Sequence, residues 1–241
     1  MSGYKEFTFG EGDAGVGGKS KPFKADAGRS YRVSFIWWKG LDTGKPNLDT
    51  AGPIFVGEDA NFIPNVGYVI NKGPEYTKLA GGEPPRKRIA SVIVVWPTDK
   101  QGSVDKAALA RNEVEILPWV ISGDKFVSLK AINKEFPFGS HDFTLNCSDA
   151  QFQKMTFTPC RDSLLKALIG NPKAEGIVSD MIAKAQSISA NIKDHVGREM
   201  TIQAIREKLA GGGGGGGSSA GPVETMATGD IDTMVDNMLD S

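Results

Sequence analysis

Histidine and cysteine are scarce in this chain, which has two of each among its 241 residues. Two thiols, Cys147 and Cys160, do not make a disulfide framework, so we expect a protein of a reducing compartment. Two histidines, His141 and His195, offer little for a Ser-His-Asp or Cys-His site, which needs a base beside its nucleophile. The sequence therefore predicts no catalytic residue, and we expect a protein that is not an enzyme.

Metal ligands at close spacing are missing too. His141, Cys147 and Cys160 are the nearest set, but structural zinc sites use paired ligands a few residues apart. Ordinary buried thiols are the simpler interpretation. Glu58 and Asp59 occur together in a predicted loop, where a solvated turn is favoured over a cation site. We expect no metal and no other cofactor.

Long apolar segments are absent as well. The longest apolar run, IASVIVVW at residues 89–96, has the length of a strand and is too short to span a bilayer. The first residues, MSGYKEFTFG, lack the apolar core of a signal peptide. These features predict a cytoplasmic protein without a membrane partner.

A phosphate-binding loop is suggested near the start of the chain, but its pattern is incomplete. The glycine-rich stretch 10–20, GEGDAGVGGKS, ends in Gly-Lys-Ser, as such a loop does. Asp13 stands where the pattern requires its first glycine, and no strong buried strand precedes it. A surface loop is therefore favoured over a nucleotide site.

Short strand patterns separated by turns fill the first 160 residues. Apolar and polar residues alternate within 29–39, 143–147 and 154–158, which predicts strands there. The β-branched run 89–96 predicts a central strand that is buried on both faces.

Two further elements lie between these strands. Residues 113–121 predict another strand, and Pro118 indicates an edge or a bulge because proline cannot donate to a ladder. Phe126, Leu129 and Ile132 follow a period of 3.6 better than a period of two, so a short helix is predicted over 125–132.

The fold class that follows is mainly β with α. Residues 1–160 predict an OB-like Greek-key barrel, and a β-sandwich is the rival. Residues 161–210 read as two or three helices, a helical extension that packs on the barrel or on a neighbouring copy. Self-association is therefore left open.

The end of the chain has a different composition. A flexible glycine-rich linker is predicted at 211–223, followed by a disordered acidic tail at 224–241 that contains no Lys or Arg. The tail repeats an apolar set as well: Ile231, Met234, Val235, Met238 and Leu239. Residues 1–210 carry 28 basic and 24 acidic side chains, so a mildly basic body precedes a tail of opposite charge. This asymmetry points to a polyanionic partner, or to a tail that masks a basic surface.

Basic residues and aromatic residues occur together in two stretches, 29–39 and 71–88. Single-strand binders place cations along phosphates and aromatic faces under unpaired bases. Adjacent Trp37 and Trp38 must point to opposite faces of a strand, so one of them can leave the core. The predicted base-stacking residues are Trp38, Tyr76 and Phe126. The predicted phosphate contacts are Arg32, Lys39, Lys72, Lys78, Arg86, Lys87 and Arg88. Solvated loops and a covered tryptophan are the alternative interpretation.

The plan of body, glycine linker and acidic tail resembles that of phage-type single-stranded DNA-binding proteins. The stretch 119–159 adds to this resemblance. Together with Leu117 and Pro118 before it, it reads LPWVISGDKFVSLKAINKEFPFGSHDFTLNCSDAQFQKMTFTP. The chain ends Asn-Met-Leu-Asp-Ser, whereas the bacterial family ends on an acidic run and Ile-Pro-Phe. The close-paired zinc ligands of the T4-type family are absent here.

The resemblance implies a protein that coats and protects single-stranded DNA in replication, recombination and repair, without strong sequence preference. It also implies a tail that masks the binding groove and recruits replication and recombination proteins. The tail residues expected to bind partners are Asp230, Asp232, Asp236 and Asp240. The rival function is a phage structural, scaffold or protein-interaction module, and duplex DNA or RNA binding is a third alternative.

Overall fold

The computed structural model describes residues 20–99, 103–111, 113–148 and 155–211. The strands are β1 Arg29–Phe35, β2 Val56–Ile63, β3 Gly67–Ile70, β4 Arg86–Val95, β5 Glu115–Ser122, β6 Phe143–Cys147 and β7 Met155–Pro159. The helices are α1 Pro74–Leu79, α2 Lys106–Ala110, α3 Gly123–Glu135, α4 Leu164–Ile169, α5 Glu175–Ala190, α6 Lys193–Val196 and α7 Ile202–Gly211. The incomplete phosphate loop up to residue 19 and the acidic tail lie outside the described residues, and Gly211 of the predicted linker is the last residue of α7.

The seven strands form one mostly antiparallel sheet in a mixed α/β fold. Their order is β3-β2-β4-β1-β6-β7, and β5 pairs with β4 beside this path. Strand β4 is central because its 10 residues serve three neighbours: residues 86–90 pair with β2, residues 93–95 with β1 and residues 88–95 with β5. No ladder within the described ranges joins β5 to β7, so the sheet is open rather than a closed barrel.

The interior positions of β4 confirm that it is buried on both faces. Ala90, Val92 and Val94 contribute to one apolar cluster, while Ile89 and Ile93 contribute to another on the opposite face. A strand of successive apolar residues can contribute to two cores because neighbouring side chains point to opposite faces. The edge position that Pro118 indicated for β5 is also confirmed, since β5 pairs with β4 alone.

The inner face of the sheet holds a core rich in aromatic rings. The Phe35 ring lies 5.0–5.2 Å from the rings of Phe55, Phe138 and Phe143. Helix α3 covers this core with Leu129, which confirms the predicted helix and extends it to 13 residues. We call this cluster the inner core.

The outer face of β4 and β5 is covered by helices α4, α5 and α6. Met181, Ile182, Ala185 and Ile188 of α5 are buried in the same cluster as Trp96 of the segment after β4. Burying a large apolar side chain stabilises the fold by about 1.5–3 kcal/mol, so the burial of several of them holds the helices to the sheet. None of the described helices is long and apolar enough to cross a bilayer.

A third apolar cluster supports the hairpin of β2 and β3. Ile63, Val66 and Val69 of the hairpin pack with Tyr76 of α1 and Ile205 of α7, all of them buried. The two helices therefore hold the hairpin against the rest of the fold from one side.

Candidate nucleic-acid interface

Two of the three predicted base-stacking residues are buried. Trp38 is 1% exposed in the inner core, and its indole N–H donates to the Phe35 carbonyl at 2.7 Å. Tyr76 is 8% exposed, and its hydroxyl donates to the Met200 carbonyl at 2.8 Å. Neither ring offers a face to a base, so both predictions are wrong. Trp37 and Trp38 do contact different cores. Trp37 packs on the apolar cluster at the outer face of the sheet, whereas Trp38 lies in the inner core.

Arg32 is occupied inside the fold, which corrects its assignment as a phosphate contact. Its guanidinium donates to Asp142 at 2.9 Å and to Asp162 at 2.8 Å, and its side chain is 12% exposed. Asp142 is fully buried and also accepts from the Ser34 hydroxyl and from the Leu164 backbone N–H. Burial raises the pKa of the Asp142 carboxyl, whereas Arg32 and these hydrogen bonds act in the opposite direction. The network ties β1 to the start of α4.

Arg88 is a structural cation as well, so it does not present its charge to phosphate. Its side chain donates to the Val196 carbonyl at 2.7 Å and to the His195 carbonyl at 3.1 Å, at the end of α6. The guanidinium carbon lies 3.5 Å from the centre of the Tyr68 ring. Burial lowers the pKa of Arg88, against the opposing effect of Tyr68. Hydrogen bonds to the last carbonyls of a helix suit a cation, because those carbonyls have no partner within the helix.

Phe126 of α3 is half-buried between two neighbours. Its ring lies 4.9 Å from that of Phe55, and the Lys130 ammonium lies 5.5 Å from its centre. Packing against the inner core therefore occupies much of this side chain. Its role as a stacking residue stays a prediction.

Five of the predicted phosphate contacts are exposed: Lys39, Lys72, Lys78, Arg86 and Lys87. Lys72 pairs with Glu199 at 3.3 Å, and Lys87 with Asp59 at 3.8 Å, in pairs of half-exposed or more exposed side chains. Such surface ion pairs contribute little to folding stability, so each lysine can leave its carboxylate for another anion. Arg86 has no ion-pair partner among the described residues. These five assignments stay predictions.

Sequence reasoning missed an aromatic pair on the β2–β3 hairpin, in which Phe62 is exposed and Tyr68 is half-buried. Phe62 is 55% exposed, and it lies opposite Tyr68 in the ladder with the ring centres 5.2 Å apart. The adjacent apolar residues Phe62 and Ile63 could have indicated an exposed ring, because neighbouring residues of a strand face opposite sides. The loop predicted around Glu58 and Asp59 is wrong, because both residues belong to β2. The turn residues Pro64 and Asn65 that follow favour a loop and hide the strand pattern before them. We call Phe62 and Tyr68 the hairpin pair.

One groove in the described part of the chain lies at the end of β4 opposite to Arg86. Its volume is about 580 Å³. Lys21, Lys24 and Arg29 line it together with acidic residues. These acidic residues are Asp26, Asp105, Glu113 and Glu115. A polyanion would meet repulsion here, so the groove does not match the predicted ligand.

Both cysteines are reduced thiols, Cys147 buried and Cys160 half-buried. No group of three or more His, Cys, Asp or Glu side chains within them is placed to hold a metal ion. Cys160 contacts the Thr144 hydroxyl at 3.6 Å, and burial raises the pKa of its thiol. A thiol with a raised pKa is a poor nucleophile at neutral pH.

The burial of the tryptophans leads to a spectroscopic prediction. Trp38, Trp96 and Trp119 are 1–2% exposed, and Trp37 is partly buried. We expect oligo(dT) to leave the tryptophan emission of the protein nearly unchanged, because three of the four indoles are buried and the fourth packs against an apolar cluster. Emission is recorded while the anisotropy of a labelled oligo(dT) reports binding. Strong quenching on binding would contradict the packing described above.

Comparison of the chain with protein-family models, with curated proteins and with solved structures finds no match.

Proposed function

We propose that the protein binds single-stranded DNA without strong sequence preference and coats it during replication, recombination and repair. The observation that carries the proposal is the exposed basic surface formed by residues 72–88. Lys72, Lys78, Arg86 and Lys87 all reach solvent there, and Arg86 lies on the face of the sheet that carries the hairpin pair. Cations along a surface with an accessible aromatic ring are what an unpaired, flexible polyanion requires.

A finer description of the fold belongs to this proposal. Five strands, in the spatial order β5-β4-β1-β6-β7, are proposed to form a partly open barrel of the OB type. Helix α3 lies between the third and fourth of these strands along the chain, and the rings of Trp119 and Phe157 meet across the opening at 5.9 Å. OB-folds are five-stranded, partly open Greek-key barrels.

In the proposed barrel, the basic surface belongs to an inserted segment. Strands β2 and β3 and helix α1 are then an insertion between the first and second barrel strands. The loop at that position binds oligonucleotides in OB-folds, as does the face of the second and third strands. Here helices α4 to α6 cover that face. The insertion is therefore the better candidate for the DNA contact.

The acidic tail is proposed to compete with DNA for the basic surface. A tethered polyanion is present at high effective concentration, and a displaced tail is free to bind replication and recombination proteins. Its four aspartates, Asp230, Asp232, Asp236 and Asp240, carry this role together with the apolar residues between them.

Melting of duplex DNA tests the proposal against its rivals. A protein that prefers the single strand lowers the melting temperature of an A·T-rich duplex at low salt, because it stabilises the melted state by mass action. A duplex-binding protein raises that temperature. A scaffold or protein-interaction module leaves it unchanged, and either of these results would reject the proposal.

Arg86→Ala provides a prediction about phosphate contacts. Loss of one contact to a single strand reduces the slope of log K against log salt by about 0.7, because one fewer set of counterions is released. We expect this change in oligo(dT) titrations at several salt concentrations. Lys173→Ala is the matched control, since Lys173 is an exposed cation in the helical layer. An equal change in both variants would mean that Arg86 acts only through net charge.

A further inference from the structure

We propose that Phe62 is the residue on which an unpaired base stacks, and that Arg86 holds the adjoining phosphate. This site deepens the proposed function and rests on it. It also places the base contact on the inserted β2–β3 hairpin rather than on the barrel face that the helices cover.

Phe62 is held in solvent by an ordered strand and turn. Its backbone is part of β2, and its neighbour Ile63 is fully buried. The turn that follows is well defined, since the Val66 N–H donates to the Ile63 carbonyl at 3.1 Å and Asn65 has a φ of 63°. Positive φ at the third position of such a turn, after proline, is the type II geometry, which asparagine tolerates. A rigid hairpin thus holds an apolar ring in solvent.

The Phe62 ring is supported from beneath by two further side chains. Tyr68 contacts Phe62 edge to face at 5.2 Å, and Arg88 lies against Tyr68 at 3.5 Å. Arg88 is fixed in turn by the two carbonyls at the end of α6. The ring is therefore positioned before a ligand arrives, so little conformational entropy is lost when a base stacks on it.

Arg86 lies close to Phe62 on the sheet. Ala60 lies opposite Arg86 in the β2–β4 ladder, and residues two apart on a strand share a face, so Phe62 and Arg86 lie on the same face of the sheet. From the strand spacing and the rise per residue, their Cα atoms are roughly 8 Å apart. An arginine side chain can therefore reach a phosphate attached to a nucleoside whose base covers Phe62. Arg86 is exposed and has no ion-pair partner in the described ranges, so its charge is free for this contact.

The size of the patch favours a base over a protein partner. One exposed phenyl ring with a half-buried tyrosine is a small apolar surface, whereas stable protein interfaces bury at least about 1,200 Å² in total. A single base needs only one ring face and tolerates any sequence. A base within a duplex has no free face, so the site selects unpaired strands.

The test uses the full chain with Phe62→Ala and, as the matched control, Phe136→Ala. Phe136 is also an exposed phenylalanine, 39% exposed, and lies after α3 beside His141. We expect Phe62→Ala to bind labelled oligo(dT) about 5- to 150-fold more weakly, the range that corresponds to one lost base–aromatic stack. Phe136→Ala should bind as the unchanged protein does. Unchanged binding by Phe62→Ala would overturn the stacking site and leave the proposed function standing.

A second variant guards against a loss of folding. Phe62→Trp keeps a large aromatic ring on the hairpin and adds an exposed indole to a protein whose own tryptophans are buried or partly buried. Its extra emission should be quenched by oligo(dT) and restored by salt. Binding of oligo(dT) without quenching would overturn the site. If the unchanged protein does not bind oligo(dT) at all, the proposed function fails together with the site.

Discussion

Asp142→Ala is expected to lower the free energy of unfolding by about 3–5 kcal/mol, the loss seen when one partner of a buried ion pair is removed. The Arg32 guanidinium, 12% exposed, would then lose the buried one of its two carboxylate partners, at 2.9 Å, and keep only the exposed Asp162. The Ser34 hydroxyl and the Leu164 N–H would lose an acceptor in the same place. Urea unfolding followed by far-UV circular dichroism measures the change.

Asp49→Ala is the matched control for this prediction. Asp49 pairs with Lys166 at 3.3 Å, but its side chain is 85% exposed. Removing such a surface partner costs about 0–1 kcal/mol, because water solvates both charges when they are apart. Equal losses in Asp49→Ala and Asp142→Ala would show that the buried network does not tie β1 to α4 as described.

Deleting residues 212–241 is expected to strengthen oligo(dT) binding at low salt by roughly tenfold. The sequence predicts a short flexible linker, which gives an effective concentration of about 1 mM, and a tail that binds the body at about 0.1 mM would then mask most of it. The effect should fade as salt rises, since exposed charges are screened over about 8 Å at physiological ionic strength. Anisotropy titrations of both chains at several salt concentrations measure the effect.

A full-length variant separates charge from length in this experiment. Changing Asp230, Asp232, Asp236 and Asp240 to asparagine removes four of the five acidic residues from 211 onward and keeps the chain length. Its affinity should approach that of the truncated protein. If neither variant binds more tightly than the unchanged chain at any ionic strength, the tail does not mask the surface.

Local patterns in the sequence predicted the elements that carry the fold. The β-branched run at 89–96 became the central strand β4, because only a strand with two apolar faces suits that position. Pro118 correctly indicated an edge, since a missing N–H is harmless where no neighbour pairs. Residues 143–147 form β6 with the predicted bounds. These predictions depend on the periodicity of apolar residues and on single residues, such as proline, that restrict the backbone.

The stacking residues could not be predicted in the same way. Which face of a strand is buried depends on the register and on what packs above the sheet, and a shift of one residue reverses every side chain. Trp38 and Tyr76 were placed outside and are buried, while Phe62 was overlooked and is exposed. Trp38 is buried by the inner core, which includes Leu129 of α3, and Tyr76 by its packing with the hairpin and with Ile205 of α7. Helices α3 and α7 come from distant parts of the chain.

The two corrected arginines show a related limit. Arg32 and Arg88 occur in basic, aromatic-rich stretches, yet each is bonded to residues more than 100 positions away in the sequence. A cation that neutralises a buried carboxylate cannot be told from one that meets solvent without the tertiary contacts. Arg86, two residues before Arg88, is on the same face of β4 and remains exposed.

The central claim is that this chain binds unpaired DNA through the surface formed by residues 72–88 and the hairpin pair. Its most direct test is an anisotropy titration of labelled oligo(dT) with the full chain at two salt concentrations, repeated with an unlabelled duplex of equal length as competitor. The account predicts binding that weakens with salt and that the duplex displaces poorly. Absence of binding at micromolar protein and low salt, or equal displacement by the duplex, would contradict it.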